Sequence, residues 1–144
     1  RMSTPDAADT HTPEGLTCKI IRPHDTFEGK QGLTYFAGIA AETVGAQGIC
    51  MHLLRFPPGA RAKAHLHENH ETAIYLIQGE VEMWYGPQLD QKMTQRAGEL
   101  LYIPAGMPHL PFNAGLEEAV AVLARTDPNE QESVVLLPHL EKNT

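Results

Sequence analysis

Cysteine is scarce in this sequence, and its scarcity limits the kinds of protein that the chain can be. There are two cysteines among 144 residues, Cys18 and Cys50, and they do not form a C-x-x-C pair. Two thiols in a chain of this size do not make a disulfide framework. We therefore expect reduced thiols that act as small apolar fillers, and a cytoplasmic protein.

Positive charge and long apolar runs are also lacking. Lysine and arginine number 11 against 18 acidic residues, so the net charge is -7. A nucleic-acid binder or a surface that docks on anionic lipid needs clustered basic residues, and neither partner is expected here. No apolar run approaches the roughly 20 residues that span a bilayer. Residues 1–15 show no apolar core of a secretory signal and predict a flexible N-terminal tail.

No segment keeps an apolar period of 3.6 residues, so long amphipathic helices are not predicted. Short apolar runs alternate instead with glycine- and proline-rich turns, which is typical of an all-β sandwich or barrel. We expect one domain over residues 16–144, because the length suffices for a single core. A short helix is predicted after Asp127-Pro128. The strand candidates are residues 49–56, 73–78, 81–85, 99–103, 119–124 and 133–137.

Three histidines form the strongest candidate site. His65 and His67 are two residues apart, so on a strand their side chains point to the same side. His109 follows a turn, residues 104–108, in which two prolines and a glycine restrict the backbone. Imidazole is the commonest protein ligand for transition metals, and these three side chains could converge on one ion.

The residues around these histidines resemble the cupin superfamily, in particular its small conserved-barrel members. Gly59, the His65-x-His67 pair, Glu71 and Gly79 follow the first cupin motif. The second motif is matched in full, and its positions are Gly98, Pro104, Gly106, His109 and Asn113. The resemblance implies a small β-barrel, or double-stranded β-helix jelly roll, that binds one divalent transition metal (Fe, Mn, Ni, Cu or Zn). Cupins of this kind are commonly dimers, so a homodimer is also expected.

The resemblance implies four metal ligands, His65, His67, His109 and Glu71, but the acidic position is one residue out of phase. Seven residues separate Glu71 from Gly79, where the family pattern has six, and counting back from Gly79 places Thr72 at that position. Either a β-bulge turns Glu71 inward, or the site has three histidines plus water. His70 is a weaker spare ligand.

An open metal site in an apolar barrel predicts a metal-dependent enzyme that acts on a small oxygenated metabolite, as a dioxygenase, an isomerase or a decarboxylase. The alternative is a non-catalytic cupin module that binds a small molecule or serves regulation, since one fold hosts both roles. A purely structural, seed-storage-like role is disfavoured by the short single-domain length.

Overall fold

The computed structural model describes residues 15–129, 131 and 133–142. The predicted flexible tail, residues 1–15, lies outside the described residues except for Gly15. Within the described part, the chain forms eleven β-strands, one short α-helix and one 3-10 helix. The all-β class predicted from the sequence is therefore confirmed.

Two antiparallel sheets face each other across the core. The first has six strands in the order β1-β2-β3-β10-β5-β8, and the second has five in the order β11-β4-β9-β6-β7. Each sheet keeps two edge strands, so the sheets form a jelly roll and do not close into a continuous barrel. The strands are β1 Thr26–Glu28, β2 Thr34–Ile39, β3 Cys50–Phe56, β4 His65–His67, β5 Thr72–Gln78, β6 Glu80–Tyr85, β7 Gln91–Arg96, β8 Leu100–Ile103, β9 His109–Phe112, β10 Ala119–Arg125 and β11 Val134–Leu136.

Helical structure is limited to short segments in the described residues. The helix α1 spans Ala41–Val44 and ends at Gly45, whose positive φ of 75° suits glycine. Pro138–Leu140 form the 3-10 helix. The helix predicted after Asp127 is wrong for the residues described there, because they lie in turns. The Asn129 N–H still donates to Asp127 Oδ1 at 2.9 Å.

Side chains from both sheets fill the core. In β3 and β5 every second residue points inward, as the period of two of a strand requires. A second, smaller cluster packs under β9 around Leu110, which is fully buried. The main cluster is formed by Leu33, Tyr35, Leu54, Phe56, Ala62, Leu76, Ala119, Ala121 and Leu123. No helix among the described residues has the length and apolar character needed to traverse a lipid bilayer.

Candidate metal centre

The strand β4 carries the first two histidines on one side of the five-stranded sheet. His65 and His67 alternate with Leu66, and each histidine is 2% exposed. This is the arrangement that the two-residue spacing predicts for a strand. The neighbouring strand β11 pairs with β4 along its whole length, so the backbone that carries both rings is held in the sheet.

His109 lies beside these two histidines on strand β9, which borders β4 on the side opposite β11. It is the first residue of β9 and lies directly opposite His65 in the ladder. The preceding turn is tied to β4 as well, because the Gly106 N–H donates to the His67 carbonyl at 2.9 Å. The prediction placed His109 after a restricted turn. In the structure the turn, residues 104–108, is followed directly by strand β9, and His109 is the first residue of that strand.

The three imidazoles form one compact group. The centroid of the His109 ring is 4.2 Å from that of His65 and 5.5 Å from that of His67. One nitrogen from each ring can be chosen so that all three lie within 4.8 Å of one another. Among the described residues, this is the one group of three or more histidine, cysteine or acidic side chains that meets this spacing.

Backbone carbonyls fix the tautomers of two rings. Nδ1 of His65 donates to the Lys63 carbonyl at 2.7 Å, and Nδ1 of His109 donates to the Met107 carbonyl at 2.8 Å. Since a carbonyl only accepts, each Nδ1 carries the proton and each Nε2 keeps its lone pair. Such an outer hydrogen bond is typical of metal-binding histidine.

His67 differs from the other two histidines, because its ring makes no hydrogen bond within the described residues. Both of its ring nitrogens are buried, and neither has a hydrogen-bond partner in the described structure. Buried polar atoms are nearly always paired, since leaving one unpaired costs about 1–3 kcal/mol. A metal ion between the three rings would satisfy one nitrogen of His67, so the residues present fit a bound metal.

The histidines are neutral at physiological pH, which is the form that binds metal. Burial, followed by the Arg125 charge, lowers the pKa of His67 to about 2. Burial also lowers the pKa of His109 to about 4. For His65, burial and then the neighbouring His109 and His67 hold the pKa well below its usual range.

Glu71 does not join this group. It is exposed, and its Oε1 accepts a hydrogen bond from the Tyr102 hydroxyl at 2.8 Å on the outer surface of the six-stranded sheet. Thr72 takes the inward position and is 1% exposed. The irregular pairing of β5 with β10 falls between Leu76 and Gln78, at the opposite end of the strand from Glu71. Glu71 therefore lies on the opposite surface of the sheet from Thr72, and the ligand set stays a prediction.

His70 also lies apart from the three rings. Its Nδ1 donates to the Thr126 carbonyl at 2.7 Å, and its Nε2 is 3.9 Å from Asp127 Oδ2. His70 supplies a useful comparison, because it is a nearby histidine with a different set of contacts.

Arg125 is a site residue that the sequence analysis missed. It ends β10, is 4% exposed, and donates from Nε to Thr72 Oγ1 at 3.1 Å. The predicted strand stopped one residue short of it. The period of two would have pointed Arg125 inward with Ala121 and Leu123, but a charged residue at a strand end is usually exposed.

A mostly apolar cavity adjoins the histidines. Its volume is about 50 Å³, which is room for a few water molecules. His65, His109, Gln95 and Arg125 are the strongly polar side chains that line it. Its apolar walls are Leu33, Tyr35, Leu54, Phe56, Ile74, Leu76, Val81, Met83, Met93, Leu101, Ile103, Pro111, Ala121 and Leu123.

Comparison with known proteins agrees with this geometry. The family model described as "Cupin domain" matches residues 52–124, which is about half of the chain and includes all three histidines. The polyketide synthase CurC of Streptomyces cyaneus is 37% identical over 112 residues, which cover 77% of this chain and 68% of CurC. Oxalate oxidase 1 of Hordeum vulgare is 29% identical over 96 residues, or 63% of this chain and 47% of that protein.

Solved structures share the fold. The polyketide cyclase RemF of Streptomyces resistomycificus superposes with a TM-score of 0.67 at 21% identity, over 84% of this chain and 86% of RemF. At this identity the likeness concerns the fold alone. The chain spans between 39% and 47% of the length of the plant germin-like and oxalate oxidase relatives that it matches.

Proposed function

Because the chain belongs to the cupin domain family, we propose that it is a metal-dependent enzyme that acts on a keto or enol oxygen of a small, largely apolar metabolite. The proposed ligands are His65, His67 and His109, and the proposed cofactor is one divalent transition metal (Fe, Mn, Ni, Cu or Zn). One observation carries the proposal: three buried, neutral imidazoles converge beside a cavity whose walls are otherwise mostly apolar.

The chain's own residues prepare this site for polar chemistry. The carbonyls of Lys63 and Met107 keep the protons of His65 and His109 on Nδ1, which leaves each Nε2 available. The apolar walls exclude water and so strengthen electrostatic interactions at the polar groups. Arg125 lines the same cavity, and its positive charge favours negative charge there. When bound, the metal supplies a Lewis acid that polarises a carbonyl or enol oxygen, and iron or copper would also activate dioxygen.

Proton transfer at a carbon next to a carbonyl is the reaction class that we favour, in an isomerisation or in ring closure of a keto compound. One relative of comparable length supports it, since CurC is named a polyketide synthase. Loss of carbon dioxide from a β-keto acid would make use of the same stabilised enol oxygen. The cavity volume favours a compact substrate, although the flexible side chains of Met83 and Met93 would allow some widening.

A dioxygenase is the second candidate. Three imidazole ligands would leave one to three coordination positions open, and a metal with more than one would let an oxygenated substrate and dioxygen both bind. The resemblance to oxalate oxidase 1 is compatible with oxygen chemistry. It covers less than half of that protein, whereas the match to CurC covers 68% of CurC, so this candidate is placed second.

Solvent exchange tests the favoured reaction class without knowledge of the natural substrate. Metal-loaded protein should speed the incorporation of deuterium from heavy water at the carbon between two carbonyls of small β-keto compounds, above the rate in buffer. His67→Ala should lose this activity, whereas the matched control His70→Ala should keep it. An oxygen electrode run in parallel distinguishes the two candidates, because a dioxygenase consumes dioxygen.

A non-catalytic role is the outcome that would replace this proposal. If neither exchange nor oxygen uptake exceeds the background with any of the five metals, the enzyme proposal is wrong. Ligand binding that survives removal of the metal would then favour a small-molecule-binding or regulatory module. The expected cytoplasmic location stays a prediction.

A further inference from the structure

A second cavity, which we name the second cleft, is bordered by β1, β2, α1 and the segment that follows β10. Its volume is about 540 Å³, against about 50 Å³ for the cavity beside the three histidines. The larger value is typical of sites that bind small organic molecules. The two cavities have no lining residue in common, so the second cleft is a separate place in the molecule.

Hydrogen bonds between separate parts of the chain hold the walls of the second cleft together. The Ala41 N–H donates to the Pro128 carbonyl at 2.9 Å, which ties α1 to the segment after β10. The Ala37 N–H donates to the Asp25 carbonyl at 2.9 Å, which continues the pairing of β1 with β2 beyond the end of β1. The cleft is therefore formed before a ligand enters, and binding requires little ordering of the chain.

The floor of the second cleft contains a buried hydrogen-bond donor. His52 is the buried polar side chain among the lining residues, is 3% exposed, and points inward from β3. Its Nδ1 accepts from the Gly38 N–H at 3.0 Å, so in the neutral ring Nε2 carries the proton. That Nε2 is buried and has no hydrogen-bond partner among the described residues. Since buried polar atoms are nearly always paired, this N–H is suited to an acceptor oxygen of a bound molecule.

The exposed rim of the second cleft carries negative charge. Glu42 in α1 and Asp25 before β1 both line the cleft and are both exposed. Asp25 also contacts His24, whose Nδ1 lies 3.1 Å from Oδ1, so Glu42 is the better defined of the two carboxylates. The described residues that line the cleft include no lysine or arginine. Such a rim attracts a cation and repels an anion.

Apolar side chains lie between the floor and the rim. Phe27 is half-buried, and its ring meets the His52 ring edge to face with the centroids 5.1 Å apart. Ala37 and Pro128 are also half-buried, and Ala40 is buried. A flat apolar body packs well against an aromatic ring and its apolar neighbours.

We propose that the second cleft binds a small organic cation that also carries an acceptor oxygen. The oxygen accepts from Nε2 of His52, the apolar body packs against Phe27, and the ammonium group lies at the rim beside Glu42. Burial and then the Arg125 charge lower the pKa of His52 to about 4, so a positive group is disfavoured at the floor and this orientation is the favourable one. The site does not depend on a metal, because the three clustered histidines do not line it.

Three small molecules with one shared frame test the charge preference in zinc-loaded full-length chain. Tyramine is a cation, tyrosol is neutral and para-hydroxyphenylacetate is an anion, and all three carry the same phenol. Tyramine should shift the nuclear magnetic resonance signal of the Gly38 amide until saturation, because that N–H is bonded to the His52 ring. It should bind about three- to tenfold more tightly than tyrosol, since exposed charges contribute modestly, and the anion should bind most weakly.

Matched variants locate the two ends of the ligand. His52→Asn keeps an acceptor for Gly38 but has no donor at the position of Nε2, so the affinity for tyramine should fall roughly tenfold. His52→Gln places an amide N–H near that position and should keep more of the affinity. Glu42→Gln should weaken binding about two- to fivefold. The controls Glu117→Gln, an exposed carboxylate outside the cleft, and His67→Ala should match the wild type.

Circular dichroism checks that each variant is folded, and Glu42→Gln keeps the test valid if a change at His52 unfolds the chain. The proposal is wrong if neither tyramine nor the shorter cation ethanolamine binds to saturation up to about 10 mM. It is also wrong if the anion binds most tightly, or if folded His52→Asn keeps the wild-type affinity. Loss of tyramine binding in His67→Ala would place the amine at the three histidines and would likewise overturn it.

Discussion

At the scale of single residues, two backbone carbonyls orient the candidate metal ligands. In both cases the carbonyl belongs to the residue two positions before the histidine, Lys63 for His65 and Met107 for His109. The third ring has no such anchor, and both nitrogens of His67 lack a partner in the described structure. The three histidines therefore depend on a metal to different degrees, and His67 depends on it most.

Replacing His67 with alanine should abolish metal retention, because two imidazoles rarely hold a divalent transition metal tightly. His65→Ala and His109→Ala should lower occupancy substantially as well. The measurement is elemental analysis of protein purified without a metal-chelating column, where the wild type should carry about one equivalent per chain.

Glu71→Gln and His70→Ala are the matched controls for this experiment. Both should keep wild-type occupancy, since Glu71 contacts Tyr102 and His70 contacts the Thr126 carbonyl. A clear loss of metal in Glu71→Gln would mean that Glu71 turns inward and is the fourth ligand after all. Unchanged occupancy in all three alanine variants of the cluster would overturn the site.

His52 predicts a dependence of stability on pH that does not involve the metal. It is 3% exposed, its Nδ1 accepts a hydrogen bond from the Gly38 N–H at 3.0 Å, and burial, then Arg125, lowers its pKa from 6.5 to about 4. Between these two values the unfolded chain binds a proton that the folded chain does not. The free energy of unfolding should therefore fall as the pH drops through this window.

The variant His52→Asn keeps an acceptor for Gly38 but does not titrate. In metal-free protein, urea unfolding from pH 7 to 4 should show a slope smaller than that of the wild type by about one proton. A loss of stability caused by the missing ring lowers the free energy of unfolding by the same amount at every pH, so it does not change the slope. Equal slopes would show that His52 is not held neutral by the fold.

At the scale of elements, every strand predicted from an alternating apolar pattern or an apolar run is confirmed. The six predicted strands agree to within one residue at each end with β3, β5, β6, β8, β10 and β11. The strand β7 was missed because Gln91–Arg96 is almost wholly polar, as an edge strand can be. The strand β9 was missed because Pro111 argues against a strand, yet its carbonyl still accepts from the Ala62 N–H.

Part of the candidate site was also predictable from the sequence, namely the part that depends on local spacing. Strand parity and motif spacing indicated the three histidines, because both depend on local geometry. The anchoring carbonyls lie only two residues before their histidines, but they depend on a local backbone conformation that the residue pattern does not give. The position of Arg125 beside Thr72 depends on which strands become neighbours, and the spacing of residues in a sequence does not contain that information. Thr72 lies between these cases, since its inward position follows from parity while its contact with Arg125 does not.

Two motif glycines give a prediction about the turns. Gly79 and Gly98 both have positive φ, at 86° and 90°. A Cβ on Gly79 would lie 2.9 Å from the Ala119 Cα, whereas a Cβ on Gly98 would meet nothing within 4 Å. Both alanine variants should lose about 1–2 kcal/mol of unfolding free energy from backbone strain. Gly79→Ala should lose about 1–3 kcal/mol more, because β10 must shift.

Urea unfolding at one fixed metal concentration measures both variants. Gly98→Ala serves as the control, since it shares the backbone conformation but not the close contact. Equal losses in the two variants would mean that β10 adjusts freely next to Gly79, and that the close approach has no energetic cost.

At the scale of the whole molecule, metal binding should be linked to global stability. The three ligands lie on β4 and β9, which belong to one sheet but are far apart in the chain, so an unfolded chain presents no preformed site. A metal at 100 times its dissociation constant should then add about 2.7 kcal/mol to the free energy of unfolding. That corresponds to a rise on the order of 5–10 °C in Tm.

Differential scanning fluorimetry with and without a chelator checks this expectation. The wild type should lose its metal-dependent rise in Tm when the chelator is added, and His67→Ala should show no rise at all. A shift that persists in His67→Ala would place the stabilising metal somewhere other than the three histidines.

The two sheets contribute to the cavity unequally. All three histidines belong to the five-stranded sheet, while most of the apolar cavity wall, including Leu54, Leu76 and Leu123, belongs to the six-stranded sheet. Substitutions in that wall can reshape the space offered to a molecule without displacing the three imidazoles. The architecture is thereby open to divergence, because descendants of one ancestral jelly roll can change their substrates while they keep the same three histidines.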